Sequence, residues 1–91
     1  VQVARERVRS SLPAWVPAFI EADRRGKLAA TLSAYADQDM NAQRTAKALG
    51  VHANTVYARF EKIASLTGQD PQRFRQLGEM LMAIDVAREP G

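Results

Sequence analysis

Residues 41–68 read NAQRTAKALGVHANTVYARFEKIASLTG, and this segment holds the clearest helix start and stop signals of the chain. Asn41 is a preferred helix N-cap, because its side-chain oxygen can accept a hydrogen bond from a backbone N–H of the first turn. Gly50 can adopt the left-handed conformation that commonly ends a helix. The two residues predict a short helix over about 42–49.

A second helix follows after a tight turn. Apolar Val56, Phe60 and Ile63 recur at i, i+4 and i+7, which is helical spacing. Gly68 supplies the next stop signal. The pattern predicts a helix over about 53–66.

Two short helices joined by such a turn have the layout of a helix-turn-helix. Ala46 is small, as it must be where the second helix crosses close to the first. Gly50 permits the turn, and Leu49, Val51 and Val56 can clamp the helices together. All of these requirements are met.

The segment before this motif also has helical character. Residues 1–10 are helix-compatible and charged, and Trp15 and Phe19 begin an amphipathic stripe that also contains Val16 and Ile20. Pro17 has no N–H to donate, so we expect a kink or a helix start near residue 16. Gly26 is the expected end of that helix. The stripe packs against the last helix or, as the alternative, forms a dimer contact.

Two further helices complete the prediction. Leu28, Leu32, Tyr35 and Ala36 predict a helix that ends around 37–40. Asp70 and Pro71 form a start signal of cap plus first-position proline for a last helix that runs to about residue 87. Its expected apolar positions are Phe74, Leu77, Leu81 and Ile84, with Met80–Met82 also in the core.

The chain is therefore predicted to be all-α, a small helical bundle containing a helix-turn-helix. No alternating strand pattern and no Asn-Gly or Asp-Gly hairpin turn occurs. We divide it into an N-terminal helical segment, 1–26, that serves as linker or dimerisation element, and a helix-turn-helix domain, 27–88. The first residue, Val1, is not Met, which suggests either the excised end of a longer chain or a processed start.

Composition limits the function. The 91 residues include no cysteine and one histidine, a poor inventory for a metal site, and no cofactor is expected. No apolar run approaches the roughly 20 residues of a membrane span, so we expect no membrane partner and a cytoplasmic location. No nucleophile elbow or glycine-rich phosphate loop occurs, and the chain is not expected to be an enzyme.

The positive charge is concentrated in particular segments. The net charge is +3, with six basic against three acidic residues in 1–27 and four against one in 41–68. Such an excess favours a polyanionic partner such as double-stranded DNA. The alternative is that these charges are simply solvated helix faces.

Helical geometry indicates which residues face outward. With Val56 and its apolar partners turned inward, Asn54 and Ala58 fall at the centre of the outer face, flanked by Tyr57 on one side and by Thr55 and Lys62 on the other. An asparagine there can pair with adenine, and a small alanine allows close approach to a base. The alternative for Asn54 is a local cap or turn residue.

Four more residues are candidates for the same interface. Gln43 and Arg44 lie near the start of the first motif helix, where amides and cations attract phosphate. His52 is expected to cap the second helix or contact a phosphate. Arg59 lies close to the inward side, so we expect its stem to pack on the bundle and its guanidinium to meet a carboxylate or a phosphate.

One set of residues extends over most of the chain: Leu28 to Tyr35, Asn41, Thr45-Ala46, Leu49 to Val56, Arg59-Phe60, Ile63 and Leu66-Thr67-Gly68. With these residues the sequence resembles a known family, the C-terminal DNA-binding domain of PucR/CdaR-type bacterial transcription regulators. The resemblance covers roughly 27–87. One departure is visible, because the family commonly has Tyr immediately before the Arg, where this chain has Ala58, with Tyr57 one place earlier.

The resemblance implies an output domain that follows an upstream ligand-sensing domain in the full-length chain. We interpret the chain as a sequence-specific duplex DNA-binding domain, with the helix over about 53–66 in the major groove and a homodimer reading two half-sites. The alternative is a helical protein–protein interaction or dimerisation module that does not bind DNA. A small hydrolase is a remote third possibility.

Overall fold

The structure is a computed structural model that describes residues 12–89. This part of the chain forms five helices and contains no strand, which confirms the predicted all-α fold. Predictions for residues 1–10 lie outside the described residues. In chain order the helices are α1 (Trp15–Ala22), α2 (Lys27–Asp37), α3 (Ala42–Leu49), α4 (Ala53–Thr67) and α5 (Phe74–Arg88).

The helix-turn-helix prediction is confirmed in its local detail. The Asn41 side chain accepts a 2.9 Å hydrogen bond from the Arg44 N–H and caps α3. Gly50 ends α3 with φ of 69°, the left-handed region that favours glycine. The Val51 N–H then donates to the Ala46 carbonyl at 2.9 Å, which closes the turn before α4.

The core lies where α2, α3 and α4 meet and extends to α1 and α5. Leu32, Val56 and Ile63 are fully buried at its centre, and Ala46 is buried where α3 crosses α4. Ring contacts tighten this centre, since Tyr35 meets Phe60 edge-on with 4.7 Å between ring centroids.

The first helix begins at Trp15, close to the predicted start. Pro17 then falls in the first turn, where its missing N–H is not needed. Val16 and Phe19 are buried, and α1 contacts α4 and α5. Of the two alternatives for the stripe, packing within the bundle or a dimer contact, packing within the bundle is therefore observed for Phe19.

The predicted end of this helix at Gly26 is wrong. Helix α1 ends at Ala22, and Gly26, with φ of 72°, immediately precedes α2. The physical reason is the Asp23 carboxylate, which accepts hydrogen bonds from the N–H groups of Leu28 at 2.9 Å and Ala29 at 3.0 Å. Asp23 thus caps α2, and the four residues that follow α1 form the corner between the helices.

The predicted start of the last helix at Asp70 and Pro71 is also wrong, because α5 begins at Phe74. The Asp70 carboxylate accepts from the Gln72 N–H at 2.9 Å, and the Asp70 carbonyl accepts from the Arg73 N–H at 3.1 Å. These bonds make a turn of the Asx type. Pro71 is buried beneath that turn instead of starting a helix.

Two expected core residues of α5 are exposed. Phe74 is 78% exposed and Met82 is 71% exposed, whereas Leu77, Met80 and Ile84 are buried as predicted. The late helix start leaves Phe74 in the first turn, beyond the edge of the bundle. Among the described helices the backbone of α5 lies close to α1 and α2 and further from α3 and α4, although its buried side chains belong to the same core.

We expect Val56→Asp to abolish folding. Val56 is fully buried, and an unpaired carboxylate at that position has no partner to offset its desolvation. The loss should exceed about 4 kcal/mol, a large part of the stability of a small domain. Thermal unfolding followed by circular dichroism provides the measurement. Ala58→Asp is the matched control on the exposed side of the same helix, and equal melting temperatures for the two variants would contradict the assigned core.

Candidate nucleic-acid interface

His52 caps the second helix of the motif. Its Nδ1 accepts a 3.1 Å hydrogen bond from the Asn54 N–H. Because Nδ1 is the acceptor, the proton of the neutral ring lies on Nε2, which is left as a donor on an exposed side chain. The capping role expected for His52 is therefore observed, and it leaves one ring nitrogen for a ligand.

The outer face of α4 is open near its start. Asn54 and Ala58 are exposed, and Thr55 is half-buried beside them. The Asn54 backbone takes part in the His52 cap, but its side-chain amide has no hydrogen-bond partner within residues 12–89. The structure thus separates the two roles considered for this residue, because the cap is the imidazole of His52 and not the amide of Asn54.

Tyr57 flanks this face on the side of the turn after α4. It is 44% exposed, and its ring lies edge-on to Phe60 with 6.1 Å between centroids. The buried Tyr35 hydroxyl lies in the same region: burial raises its pKa, and the neighbouring Tyr57 and Asp70 raise it further. Tyr57 is therefore held by packing while part of its ring stays in solvent.

The start of α3 presents a second group of exposed polar side chains. Gln43 and Arg44 are both exposed in its first turn. The Arg44 guanidinium is 3.9 Å from the Asp39 carboxylate, and both side chains are well exposed, so this ion pair is weak. The side chains of Gln43 and Arg44 can therefore reorient toward an external ligand.

Arg59 is anchored inside the bundle. Its Nη1 donates to the Thr31 hydroxyl at 3.1 Å, and that hydroxyl in turn donates to the Lys27 carbonyl at 2.7 Å. The partner is a buried hydroxyl of α2 and not the carboxylate or phosphate that the sequence suggested. Its stem packs on the bundle as expected, and the contact joins α4 to the first turn of α2.

A basic cleft lies beside Arg59. The sequence interpretation included Arg59 and Lys62 on one side of this cleft but missed the residues of the α1–α2 corner on the other side. The cleft has a volume of about 380 Å³ and is formed by the α1–α2 corner and the second half of α4. The excess of basic residues in 1–27 was the only signal, and nothing in the spacing joined it to α4. The lining residues are Ala22, Asp23, Arg24, Arg25, Lys27, Leu28, Arg59 and Lys62.

Two other kinds of feature were sought in the part of the chain that the structure describes. There, no group of three or more His, Asp or Glu side chains is placed to hold a metal ion. None of the helices over residues 12–89 has the length and apolar character needed to cross a membrane. The exposed surface of the motif helices presents amides, hydroxyls and cations.

Two helices joined at a left-handed glycine, the second with an open polar face, define a helix-turn-helix domain. Residues 28–86 match the family of the PucR C-terminal helix-turn-helix domain, and the chain belongs to that family. The match confirms the resemblance drawn from the sequence. Membership indicates DNA binding by a transcription regulator, and the family is not one of enzymes. No curated protein and no solved structure matches the chain.

We expect His52→Ala to lower the free energy of unfolding by about 1 kcal/mol, because the Asn54 N–H loses its acceptor. His52→Asn supplies another side-chain acceptor and should restore most of that loss. Asn54→Ala should change stability by less than about 0.5 kcal/mol, as expected for a surface position. Urea unfolding measures all three. A larger loss for Asn54→Ala than for His52→Ala would reverse the assigned roles.

Proposed function

We propose that this domain binds duplex DNA in a sequence-specific way, as the output domain of a bacterial transcription regulator acting in the cytoplasm. In this proposal α4 enters the major groove. The observation that carries it is the side-chain amide of Asn54, which is exposed in the first turn of the second motif helix and has no hydrogen-bond partner within residues 12–89. Recognition helices of this class contact base edges with residues near their N-terminus.

Asn54 and Ala58 suit direct reading of bases. A side-chain amide presents a donor and an acceptor that match the N6 and N7 groups of adenine in the major groove. Ala58 lies one turn further along the same face and is small enough for a base edge or a thymine methyl group to come close. Thr55 and Tyr57 border this face and add a hydroxyl and an aromatic edge.

The DNA backbone would be held by residues around the base-reading face. Gln43 and Arg44 at the start of α3 are placed for phosphate contacts, and Lys62 extends from the second half of α4. His52 can donate from Nε2 while Nδ1 maintains the cap. Such contacts fix the position of the protein on the duplex but carry no sequence information. Arg59 would contact a phosphate with its guanidinium, which the Thr31 hydroxyl holds in place.

The alternative function is a protein–protein interaction module without DNA binding. The two most exposed large apolar side chains among residues 12–89, Phe74 and Met82, lie on α5, away from the motif helices. Family membership and the polar outer face of α4 both favour DNA as the partner. Binding to duplex DNA with a sequence preference separates the two functions.

Asn54→Ala should relax base choice at one position of the preferred site. We expect a loss of about 1–3 kcal/mol in binding that site, the value of a good bidentate base contact. Selection of sites from random duplexes, followed by anisotropy titrations, gives the measurement. Ser65→Ala, an exposed change further along α4, is the control and should leave the preference unchanged. An unaltered preference in Asn54→Ala would remove Asn54 as a reader.

We further propose that a homodimer carries out this binding, with an upstream ligand-sensing domain in the full-length protein controlling it. The dimer is supported by a symmetry argument, since proteins of this class read two half-sites about one helical turn of DNA apart. The upstream domain is supported by the family resemblance.

Sedimentation of this chain with duplex DNA should show two chains bound per palindromic site, with weak self-association of the chain alone. The expected footprint covers two half-sites about 10 base pairs apart from centre to centre. A strict monomer at high concentration that protects a single half-site would contradict the dimer.

A further inference from the structure

We propose that the basic cleft binds a backbone phosphate of the DNA, so that the interface extends from the helix-turn-helix to the α1–α2 corner. The new contacts would come from Arg25 and Lys27, with Lys62 on the opposite wall. The inference rests on the proposed DNA-binding function and adds a site outside the motif. Its ligand is a phosphodiester group of the duplex flanking the bases read by α4.

The cleft carries an excess of positive charge. Five of its lining side chains are cationic and one is acidic. Arg24 is paired with Glu21 at 2.7 Å, but Arg25, Lys27 and Lys62 have no carboxylate partner among residues 12–89. Like charges brought together without counterions raise the local positive potential, which a phosphate lowers.

The single acid of the cleft, Asp23, offsets one of its five positive charges and makes no ion pair with them within residues 12–89. Both carboxylate oxygens of Asp23 already accept backbone N–H groups, from Leu28 and from Ala29. Lys27 is the first residue of α2, where the helix dipole disfavours a cation. Lys27 therefore does not stabilise α2 through its charge. This favours a role for its side chain in ligand binding.

One wall of the cleft is rigid. Arg59 is held by the Thr31 hydroxyl, which is itself bound to the Lys27 carbonyl, so its guanidinium and the start of α2 are fixed relative to each other. The hydroxyl accepts from one N–H of the guanidinium, and the other N–H groups have no partner among residues 12–89. Planar guanidinium groups match phosphate oxygens in pairs.

The position of the cleft points to DNA as the source of the phosphate. Lys62 follows Ala58 by one helical turn, about 6 Å along the axis, so the cleft begins where the base-reading face ends. In a helix that enters the major groove with its N-terminus, later turns leave the base edges and approach the flanking backbone. A phosphate bound there would belong to the same duplex.

The test compares two charge-matched variants of the full chain. Arg25→Gln/Lys27→Gln removes two cations of the cleft, and Arg73→Gln/Arg75→Gln removes two exposed cations around the start of α5. Anisotropy titrations with the preferred and a scrambled duplex are carried out over a range of salt concentrations. For the cleft variant we expect equal weakening on both duplexes and a salt slope lower by about 0.9 for each phosphate that the variant no longer neutralises.

A readout of stability accompanies the titrations. The cleft variant should melt no lower than the unaltered protein, because Lys27→Gln removes a cation from a helix N-terminus. The control pair should retain the salt slope. Equal slopes for the cleft variant and the unaltered protein, or equal weakening of DNA binding in the cleft and control variants, overturn the inference while leaving the proposed function intact.

Two further outcomes are distinguishable. Failure of the unaltered protein to bind any duplex overturns both the proposed function and this inference. Titration with inorganic pyrophosphate, followed by NMR of the Arg25 and Lys27 amides, tests for a free phosphate ligand. Saturable binding of pyrophosphate, together with unchanged DNA affinity of the cleft variant, assigns the cleft to a small phosphorylated ligand and overturns the inference.

Discussion

The left-handed turn at Gly50 is the constraint on which the rest of the structure depends. Its φ of 69° ends α3 and redirects the chain, and the bond from the Val51 N–H to the Ala46 carbonyl holds the new direction. A Cβ at Gly50 would meet nothing within 4 Å, so glycine is needed for its backbone conformation and not for space. The crossing of α3 and α4 follows from this turn, and the orientation of the exposed face of α4 follows from the crossing.

Helix α4 serves two purposes along its length. Val56, Phe60 and Ile63 bury one side in the core, while the opposite side stays polar. Its flanks are covered unequally, because the turn containing Pro71 lies beside Tyr57 and the α1–α2 corner lies beside Lys62. The cover on the second flank is cationic. One helix thus presents polar groups at its start and positive charge further along, the arrangement that the proposed binding of DNA requires.

The parts of the fold that could be predicted from the sequence are those set by local rules. Asn41, Gly50 and the spacing of Val56 and Phe60 each act over one or two helical turns, and the structure has them as predicted. Asp70 does not start a helix, because its carboxylate accepts the Gln72 N–H and forms a turn. This turn is also a local structure, but the Asp-Pro pattern does not distinguish it from a helix start.

Other features depended on side-chain contacts, some local and some tertiary, that the periodicity of the apolar residues does not reveal. Gly26 looked like the end of α1, but the Asp23 carboxylate reaches forward to cap α2. The same holds for the candidate site. The outward position of Asn54 follows from helical geometry alone, whereas the contact between Arg59 and Thr31 and the cleft beside it join residues far apart in the chain.

An NMR titration of the labelled protein with its selected duplex can show whether the exposed face at the start of α4 contacts DNA. We expect the largest amide shifts at His52, Asn54 and Ala58, with α5 little affected. Shifts concentrated on α5 around Met82, with the start of α4 unchanged, would show that another surface binds the duplex.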